Sequence, residues 1–345
     1  MPAQQPSAFV RGRVLVHFRE FVSSAQAKNV VAGMRARSIG EIPQIGMHIV
    51  ELPSNASETA YLNAFRQRSE VALVELDRVH PPQQLTPNDP SYASQWYLPR
   101  IDAPNAWPLT TGTGNIIIAI ADTGVDPTHP DLVSKLVPGW NVTGNNSDTH
   151  DVYGHGTMVA GTAAAASNNG KGVASVAWNC WIMPVRISQD NGYAYDSTIA
   201  GGITWAADHG ARVVNVSYKV TGSATVSAAA KYFHGKGGVV TVAGGNYSTF
   251  ESLPDDPYMV TVAATDSTDI LYSWSNRGTH LDLTAPGCVT TTVNGGSYGG
   301  ACGTSVAAPV VAGVAALVLS ANPGLSATQA ITLLRQTADD LGAAG

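Results

Sequence analysis

Length, composition and charge set the first limits on what this chain can be. Its 345 residues are enough for one large domain and a small one. Hydrophobic residues make up 44% of the chain and charged residues 13%, about half the usual share of roughly 25%, which indicates a well-packed protein rather than a disordered one. The net charge of -6 and the lack of a Lys/Arg cluster argue against nucleic-acid and membrane-surface partners.

Two segments bear on membrane insertion and export. The run from Val306 to Ser320 is apolar or small throughout, but it is short for a bilayer and contains Pro309, so we expect a buried core helix and no membrane span. The first 14 residues lack the apolar stretch of a signal peptide. The protein is therefore expected to be cytosolic, or to be exported by a signal outside this sequence.

Residues 1–84 hold much of the charge and have a pattern of their own. The alternating stretches "GRVLVHF", "MHIVEL" and "VALVEL" predict strands, and the serine-capped stretches "SSAQAKNVVAGM" and "SNASETAYLNAFRQRSEV" predict helices between them. This order indicates a small α+β domain of the ferredoxin-like type. The Pro-rich stretch "DRVHPPQQLTPNDP" that follows is typical of a linker.

From residue 85 to residue 345 the pattern alternates between strand and helix. Apolar stretches such as "NIIIAIADTG", "WIMPVRI", "ARVVNVSY", "GVVTVAGGN" and "MVTVAATD" are separated by helical ones. Strands that are apolar on both faces predict an α/β fold, with a doubly wound, mostly parallel sheet and helices on both sides. Ligands bind such sheets at the carboxyl ends of the strands, where Asp122, Ser217 and Asn246 lie.

The three cysteines do not form a disulfide framework by number alone. Cys180 lies in an apolar strand pattern and is expected to be an inert core thiol. Cys288 and Cys302 flank the Gly-rich stretch "VTTTVNGGSYGGA", which predicts a hairpin. They can form a disulfide if they face each other, but strand register is not visible in the sequence, so both states stay open.

Three residues in small-residue surroundings suggest nucleophilic catalysis. Asp122 lies in "ADTGVDPTHPDL", His155 in "GHGT" and Ser305 in "GTSVAAP". Each alone is explained more simply, as a turn residue, a helix-start residue and a helix cap. Together, the order Asp, His, Ser is one of the unrelated orders in which the serine-hydrolase triad occurs. An α/β-hydrolase lipase or esterase would instead need Gly-x-Ser-x-Gly and a histidine after the serine.

These segments resemble the subtilisin-like serine peptidases, most closely the thermitase and bacterial extracellular branch, from about Leu85 to the end. The resemblance implies a serine endopeptidase acting on proteins and peptides, with Ser305 as nucleophile, His155 as general base and Asp122 orienting the imidazole. It implies that Asn246, in "AGGNYST", donates to the oxyanion, and that Gly244 and Gly245 let the substrate approach the backbone. The alternative is a catalytically silent binding protein of the same fold.

The resemblance also gives residues 1–84 a meaning. They are similar to the family's inhibitory propeptide, so we expect a self-processing zymogen cleaved near Gln84–Leu85, with an unrelated accessory domain as the alternative. A propeptide of this length favours secretion over the intracellular members of the family, and we expect a monomer. Family members usually add a strand and a helix after "SATQAITLLRQTADDL", which leaves open a truncated C-terminus or a further domain.

One structural calcium site is implied by the resemblance. Its ligands would be the side chains of Asp89, Asp131 and Asn169, together with the carbonyl groups of Ala166, Lys171 and Val173. Oxygen ligands from three segments suit Ca²⁺. A second, weaker site is not expected, because Asn141, Gly144 and Asn146 stand in "NVTGNNSDTH" where carboxylates would be needed.

The substrate-binding strand departs from the family. It reads Ser217, Tyr218, Lys219 and Val220, where two glycines usually follow the second residue. Lys219 is expected to narrow or bridge the entrance of the pocket for the residue before the scissile bond. Asp196 stands where an aromatic residue often lines a more distant pocket. The alternative is that both side chains point to solvent.

Overall fold

The computed structural model describes residues 9–80 and 84–341. The chain divides into two units, Met1–Pro82 and Gln83–Gly345. Helices and strands are numbered below in chain order through both units. Single turns of 3-10 helix cover Pro43–Ile45, Tyr92–Ser94 and Val133–Lys135.

The N-terminal unit is a small antiparallel sheet with two helices. Its elements are β1 (Phe9–Phe18), α1 (Ser24–Gly33), β2 (Arg37–Ile42), β3 (Met47–Glu51), α2 (Glu58–Arg66) and β4 (Val71–Arg78). The strand order β2-β3-β1-β4, with antiparallel neighbours throughout, is that of the ferredoxin-like type and confirms the predicted fold class. Both helices begin after a serine whose side chain accepts from a backbone N–H of the first turn, Ser23 for α1 and Ser57 for α2.

Strand β2 is the element of this unit that the sequence pattern does not predict. It lies at the edge of the sheet, contains Gly40 at a register shift, and buries none of its residues fully. Because a strand on the edge needs little apolar surface, its alternation is too weak to read from the sequence.

The C-terminal unit alternates between strands and helices. Its elements are α3 (Tyr97–Arg100), α4 (Ala103–Ala106), β5 (Ile117–Asp122), β6 (Trp140–Asn141), α5 (His155–Ala164), β7 (Trp181–Arg186), α6 (Asp196–Asp208), β8 (Val213–Val216), α7 (Ala224–Gly235), β9 (Val239–Ala243), β10 (Phe250–Glu251), β11 (Val260–Thr265), β12 (Arg277–Gly278), β13 (Leu283–Pro286), β14 (Cys288–Val293), β15 (Ser297–Cys302), α8 (Thr304–Ala321) and α9 (Ala327–Thr337).

Seven of these strands form one parallel sheet in the order β13-β11-β9-β8-β5-β7-β6. Strands β8, β9 and β11 are buried over their whole length, as a sheet covered on both faces requires. Helices α5 and α8 pack on one face, and α6 and α7 on the other. The predicted doubly wound parallel sheet is confirmed.

Helix α8 corrects one step of the sequence argument. It has 18 residues, because it starts at Thr304 and runs to Ala321 through Pro309, and within residues 9–80 and 84–341 it is the one helix long and apolar enough to cross a membrane by length and composition. The expectation that this apolar segment is too short for a bilayer is therefore wrong. The prediction of a core helix nevertheless agrees with the structure, since 72% of the helix is buried inside the protein.

The cysteines fall into two kinds of surroundings. Cys288 and Cys302 are directly paired across the β14–β15 hairpin and are joined in a disulfide. Cys180 is a buried free thiol whose pKa is raised by burial, which keeps it protonated at neutral pH.

The contact between α8 and its neighbours generates a stability prediction. A Cβ placed on Gly313 would lie 2.6 Å from Cβ of Val176, whereas a Cβ on Gly235, at the end of α7, would meet no atom within 4 Å. Gly313→Ala should therefore lower the free energy of unfolding by roughly 1–3 kcal/mol through overpacking. Gly235→Ala, the control, should raise it by roughly 0.4–1 kcal/mol by restricting the unfolded chain.

Chemical denaturation of both variants in a Ser305→Ala background, which removes the expected nucleophile, measures the two effects. Equal changes in the two variants would show that α8 is not packed as described.

Candidate active site

The predicted catalytic residues gather at the carboxyl edge of the sheet. Asp122 is the last residue of β5, Ser217 follows β8 directly, and Asn246 comes three residues after β9. These three strands are adjacent in the sheet. His155 begins α5 and Ser305 is the second residue of α8, and both helices cover the same face.

Asp122 holds His155 by a short hydrogen bond. The distance from His155 Nδ1 to Asp122 Oδ1 is 2.7 Å, and the carboxylate is fully buried. The pKa of His155 is raised, first by the negative charge of Asp122, while burial of the imidazole opposes this effect. The bond places the proton on Nδ1, which leaves Nε2 as the acceptor of the neutral ring.

The start of α5 can approach Asp122 because residue 156 is a glycine. A Cβ on Gly156 would overlap the carbonyl oxygen of Gly124 and lie 3.0 Å from Cβ of Asp122. The GHG sequence therefore lets the helix begin directly against the turn after β5, which brings His155 within reach of Asp122.

Ser305 is tied to the predicted substrate strand in both directions. Its Oγ donates to the carbonyl of Ser217 at 3.2 Å, and Ser217 Oγ donates to the carbonyl of Ser305 at 2.7 Å. Within the part of the chain that the structure describes, Ser305 Oγ donates to this carbonyl and not to the imidazole of His155. Catalytic hydrogen bonds are often long or poorly aligned before substrate binds.

Pro309 explains why the carbonyl of Ser305 is available. In a regular helix the N–H of residue 309 would donate to the carbonyl of residue 305, but proline has no N–H. Ser217 Oγ donates to this carbonyl instead. The proline inside α8 is thereby accommodated, and the segment after β8 is joined to the helix at Ser305.

Asn246 has its amide oriented by Thr304. Its Oδ1 accepts from the backbone N–H of Thr304 and from Thr304 Oγ1, both at 2.9 Å, and that hydroxyl in turn accepts from the N–H of Gly245 at 3.0 Å. Because Oδ1 is the acceptor, Nδ2 lies on the side of Gly303, where a Cβ would be 3.2 Å from it. The amide therefore presents N–H groups at the start of α8, where a helix favours negative charge.

Two residues of the predicted substrate strand have contacts of their own. Tyr218 lies with its ring centroid 6.5 Å from that of His155, and its hydroxyl donates to the carbonyl of Gly192. Lys219 Nζ lies 3.0 Å from Glu251 Oε1. The alternative that Lys219 simply points to solvent does not describe this geometry. Asp196, by contrast, lies at the first turn of α6 and accepts from Ser223 Oγ.

Glu251 is the residue of this region that the sequence argument did not find. Two features of the sequence could have pointed to it: Glu251 is the only glutamate after residue 84, and it follows Asn246 by five residues. Gly244 is closely surrounded, since a Cβ there would be 2.9 Å from Leu281 Cδ2.

The residues named for calcium are joined to one another by hydrogen bonds. Asp131 accepts from Asn169 Nδ2 at 3.0 Å and from the N–H of Val173 at 3.2 Å, while Asp89 accepts from the N–H of Asn169 at 3.3 Å. Ala166 donates its N–H to the carbonyl of Asp131, and Lys171 donates its N–H to Asn169 Oδ1.

The electrostatics of this cluster fit a hard cation. Both carboxylates are buried, and within residues 9–80 and 84–341 neither has a Lys or Arg partner within 4 Å. The pKa of Asp89 is raised, first by burial and also by the charge of Asp131. The described residues contain no group of three or more His, Cys, Asp or Glu side chains suited to a metal. The set implied here has only two carboxylates, and its other donors are amide and carbonyl oxygens, which suit Ca²⁺.

In the loop considered for a second calcium site, the asparagine side chains bond to nearby backbone groups of the same loop. Asn141 Oδ1 accepts from the N–H of Gly144, and Asn146 Oδ1 accepts from the N–H of Asp148. These are turn-forming hydrogen bonds of the kind that asparagine side chains make.

Comparison with known proteins decides the family. Residues 113–345 match the subtilase family, and residues 1–77 match the fervidolysin N-terminal prodomain. The chain belongs to the subtilase family. The subtilase is therefore a serine endopeptidase with an N-terminal prodomain, which confirms the resemblance stated above.

Three relatives illustrate how far the similarity of this subtilase extends. The thermophilic serine proteinase of Bacillus sp. (strain AK1) is 34% identical over 99% of this chain and 86% of its own length. Thermitase of Thermoactinomyces vulgaris is 40% identical over 75% of this chain and 94% of its own. The crystal structure of fervidolysin from Fervidobacterium pennivorans has a TM-score of 0.65 at 30% identity, covering 97% of this chain and 58% of that one.

The link between Asp122 and His155 yields a prediction on titration. Asp122→Asn should lower the pKa of His155 below its ordinary value, because the charge that raises it is lost while the burial that lowers it remains. Asp208→Asn is the control, since Asp208 is exposed and pairs with Lys236 and not with His155. An NMR titration of the imidazole in the Ser305→Ala background gives both values, and an unmoved pKa in Asp122→Asn would contradict the assigned cause.

Proposed function

We propose that this subtilase is a secreted, self-processing zymogen that hydrolyses peptide bonds with the triad Asp122, His155 and Ser305. The observation that carries the proposal is the 2.7 Å bond between His155 and Asp122 at the sheet edge, where Ser305 lies in the first turn of α8. Acyl transfer to a serine requires a histidine with a free imidazole nitrogen to take the serine proton, and an aspartate to orient that histidine.

The chemistry follows from the proton positions. Ser305 Oγ leaves the Ser217 carbonyl and attacks the peptide carbonyl, while its proton passes to Nε2 of His155. Asp122 stabilises the imidazolium that forms. The imidazolium then gives its proton to the leaving amine, which breaks the C–N bond and leaves an acyl group on Ser305. A water, deprotonated by the neutral imidazole, releases the acid in the same way.

The oxyanion is stabilised by donors that are already oriented. Asn246 Nδ2 and the backbone N–H of Ser305 are the proposed pair, and Thr304 acts as a positioning residue by holding Oδ1 of Asn246. In subtilisin, loss of the asparagine donor lowers kcat by about 10²–10³. An extended peptide would bind by strand addition along Ser217–Lys219, with Gly244 and Gly245 on the opposite side.

Residues 1–84 are proposed to be the inhibitory propeptide, with cleavage near Gln84–Leu85. The match of residues 1–77 to a prodomain supports this reading over an unrelated accessory domain. Secretion is supported by the disulfide between Cys288 and Cys302, because disulfides persist in oxidising compartments and are rare in the cytosol.

One calcium ion is proposed for the cluster of Asp89, Asp131 and Asn169. When bound, the cation compensates the two buried carboxylates and stabilises the folded state by mass action. The carbonyls of Ala166, Lys171 and Val173 complete the oxygen set. The arm that carries Asp89 is already attached to this loop, since Ser91 donates its N–H to the carbonyl of Gly172 at 2.8 Å.

Self-processing can be tested by removing the nucleophile. Wild type should split near Gln84–Leu85 on incubation, whereas Ser305→Ala should remain one chain, because the equivalent change in subtilisin lowers turnover by about 10⁶. Ser326→Ala, which removes only the cap of α9, should still mature. Intact-mass spectrometry gives the cleavage site, and maturation of Ser305→Ala at the wild-type rate without added protease would refute self-cleavage.

The calcium proposal is tested by thermal unfolding. Asp131→Ala should lower Tm and abolish the rise in Tm on adding calcium, because the mass-action term requires the intact site. Asp126→Ala is matched in burial, but Asp126 bonds to Thr128 and Gly295 instead, so this control should keep its calcium response. A normal calcium response in Asp131→Ala would remove that residue from the site.

A further inference from the structure

The ion pair between Lys219 and Glu251 lies beside the reacting centre. Lys219 is two residues after Ser217, whose carbonyl accepts from Ser305 Oγ. Its Cδ would be 3.0 Å from a Cβ on Gly245, the residue that precedes Asn246. The lysine stem therefore crosses from the segment of Ser217, which follows β8, to the segment of Asn246, and these are the two segments that flank the substrate in the proposed function.

Glu251 is held in place independently of the lysine. Strand β10 pairs with β12, and the N–H of Thr279 donates to the carbonyl of Glu251 at 3.3 Å. The N–H of Arg277 donates to the carbonyl of Thr249 at 2.8 Å. Because its backbone is fixed on both sides, Glu251 presents its carboxylate to Lys219 without needing the lysine to order it.

The interaction between these two charges is less screened by solvent than that of an ordinary surface ion pair. The two side chains are only 28% and 21% exposed. Glu251 Oε2 is buried and has no hydrogen-bond partner among the described residues. His280 Nε2 lies 3.6 Å from it, an ion-pair distance only for a protonated imidazole, so Lys219 is the nearer cationic partner of this carboxylate within the described chain. Separating the pair would leave Lys219 partly buried without its close partner.

We propose that Glu251 determines substrate specificity through Lys219: the pair makes the pocket entrance neutral and selects uncharged residues immediately before the scissile bond. An acidic substrate residue must compete with Glu251 for the ammonium, and a basic one must compete with Lys219 for the carboxylate. Either competitor leaves one member of the pair without its partner, whereas a small uncharged residue does not. This inference rests on the proposed function and adds a substrate class to it.

The two members of the pair can be neutralised separately, and the resulting shifts have opposite signs. The mature enzyme is assayed at about pH 8 on three peptide anilides that differ only in Ala, Glu or Lys before the scissile bond; the Glu and Lys of the peptides are charged at this pH. Wild type should favour Ala over both. Glu251→Gln should raise kcat/KM for the Glu peptide relative to Ala on the order of tenfold, and Lys219→Met should do the same for the Lys peptide.

The double variant and a control separate pairing from general damage. Glu251→Gln combined with Lys219→Met should show neither gain, because no free charge remains. Asp255 lies in the same loop, but its carboxylate pairs with Arg335. Asp255→Asn should therefore leave the relative kcat/KM values for the three peptides at wild-type values. The gains in the single variants should shrink at high salt.

Each outcome decides the matter. Unchanged ratios in both single variants, or a wild type that already prefers Glu or Lys, would overturn the inference while leaving an active peptidase. If Glu251→Gln fails to fold by its melting curve, the gain for the Lys peptide in Lys219→Met still tests the pair. If wild type cleaves no peptide and a fluorophosphonate does not label Ser305, the proposed function fails, and the inference fails with it.

Discussion

Helix α8 is surrounded by protein on nearly all sides, and the close packing around it positions the candidate active-site residues at the sheet edge. Such a helix must be built of small and apolar residues, and "TSVAAPVVAGVAALVLSA" is almost wholly so. Gly313 lets the helix come against Val176 and the carbonyl of Ala163 in α5. The spacing between α5 and α8 in turn sets how His155 and Ser305, at the starts of the two helices, stand at the edge. The low charge content of the chain is a consequence of this packing, since little of the large domain's interior can hold a charge.

Three carboxylates that are buried or partly buried have different surroundings. Asp122 receives the imidazole of His155 and the N–H of Thr123. Asp131 receives an amide and a backbone N–H and faces Asp89, which is why that pair suits a cation. Glu251 has Lys219. The three cases differ in what surrounds the carboxylate, and this difference is why we propose three different roles for them: proton transfer, metal binding and substrate selection.

The sequence supports some of these features much better than others. Strands β5, β8, β9 and β11 are predictable because burial on both faces demands continuous apolar runs, and the order Asp122, His155, Ser305 is informative because the three motifs occur together. Strand β2 is not predictable, since an edge strand needs little apolar pattern. The pairing of Cys288 with Cys302 depends on hairpin register, which a one-residue slip would change. Glu251 could not be matched with Lys219, because their contact depends on how the loop after Asn246 folds back beside β12.

Pro309 has a mechanical consequence beyond the start of α8. The missing N–H turns one helix carbonyl into a docking point for Ser217, and the reciprocal bond from Ser305 closes a small ring of side-chain and backbone groups. Two segments almost ninety residues apart in the chain are thereby held together. In the proposed mechanism, a peptide that pairs with the Ser217 segment would be positioned relative to Ser305 by the bond from Ser217 Oγ to the Ser305 carbonyl, which does not involve the attacking hydroxyl. A residue that usually breaks helices here allows the segment of Ser217 to be attached to α8.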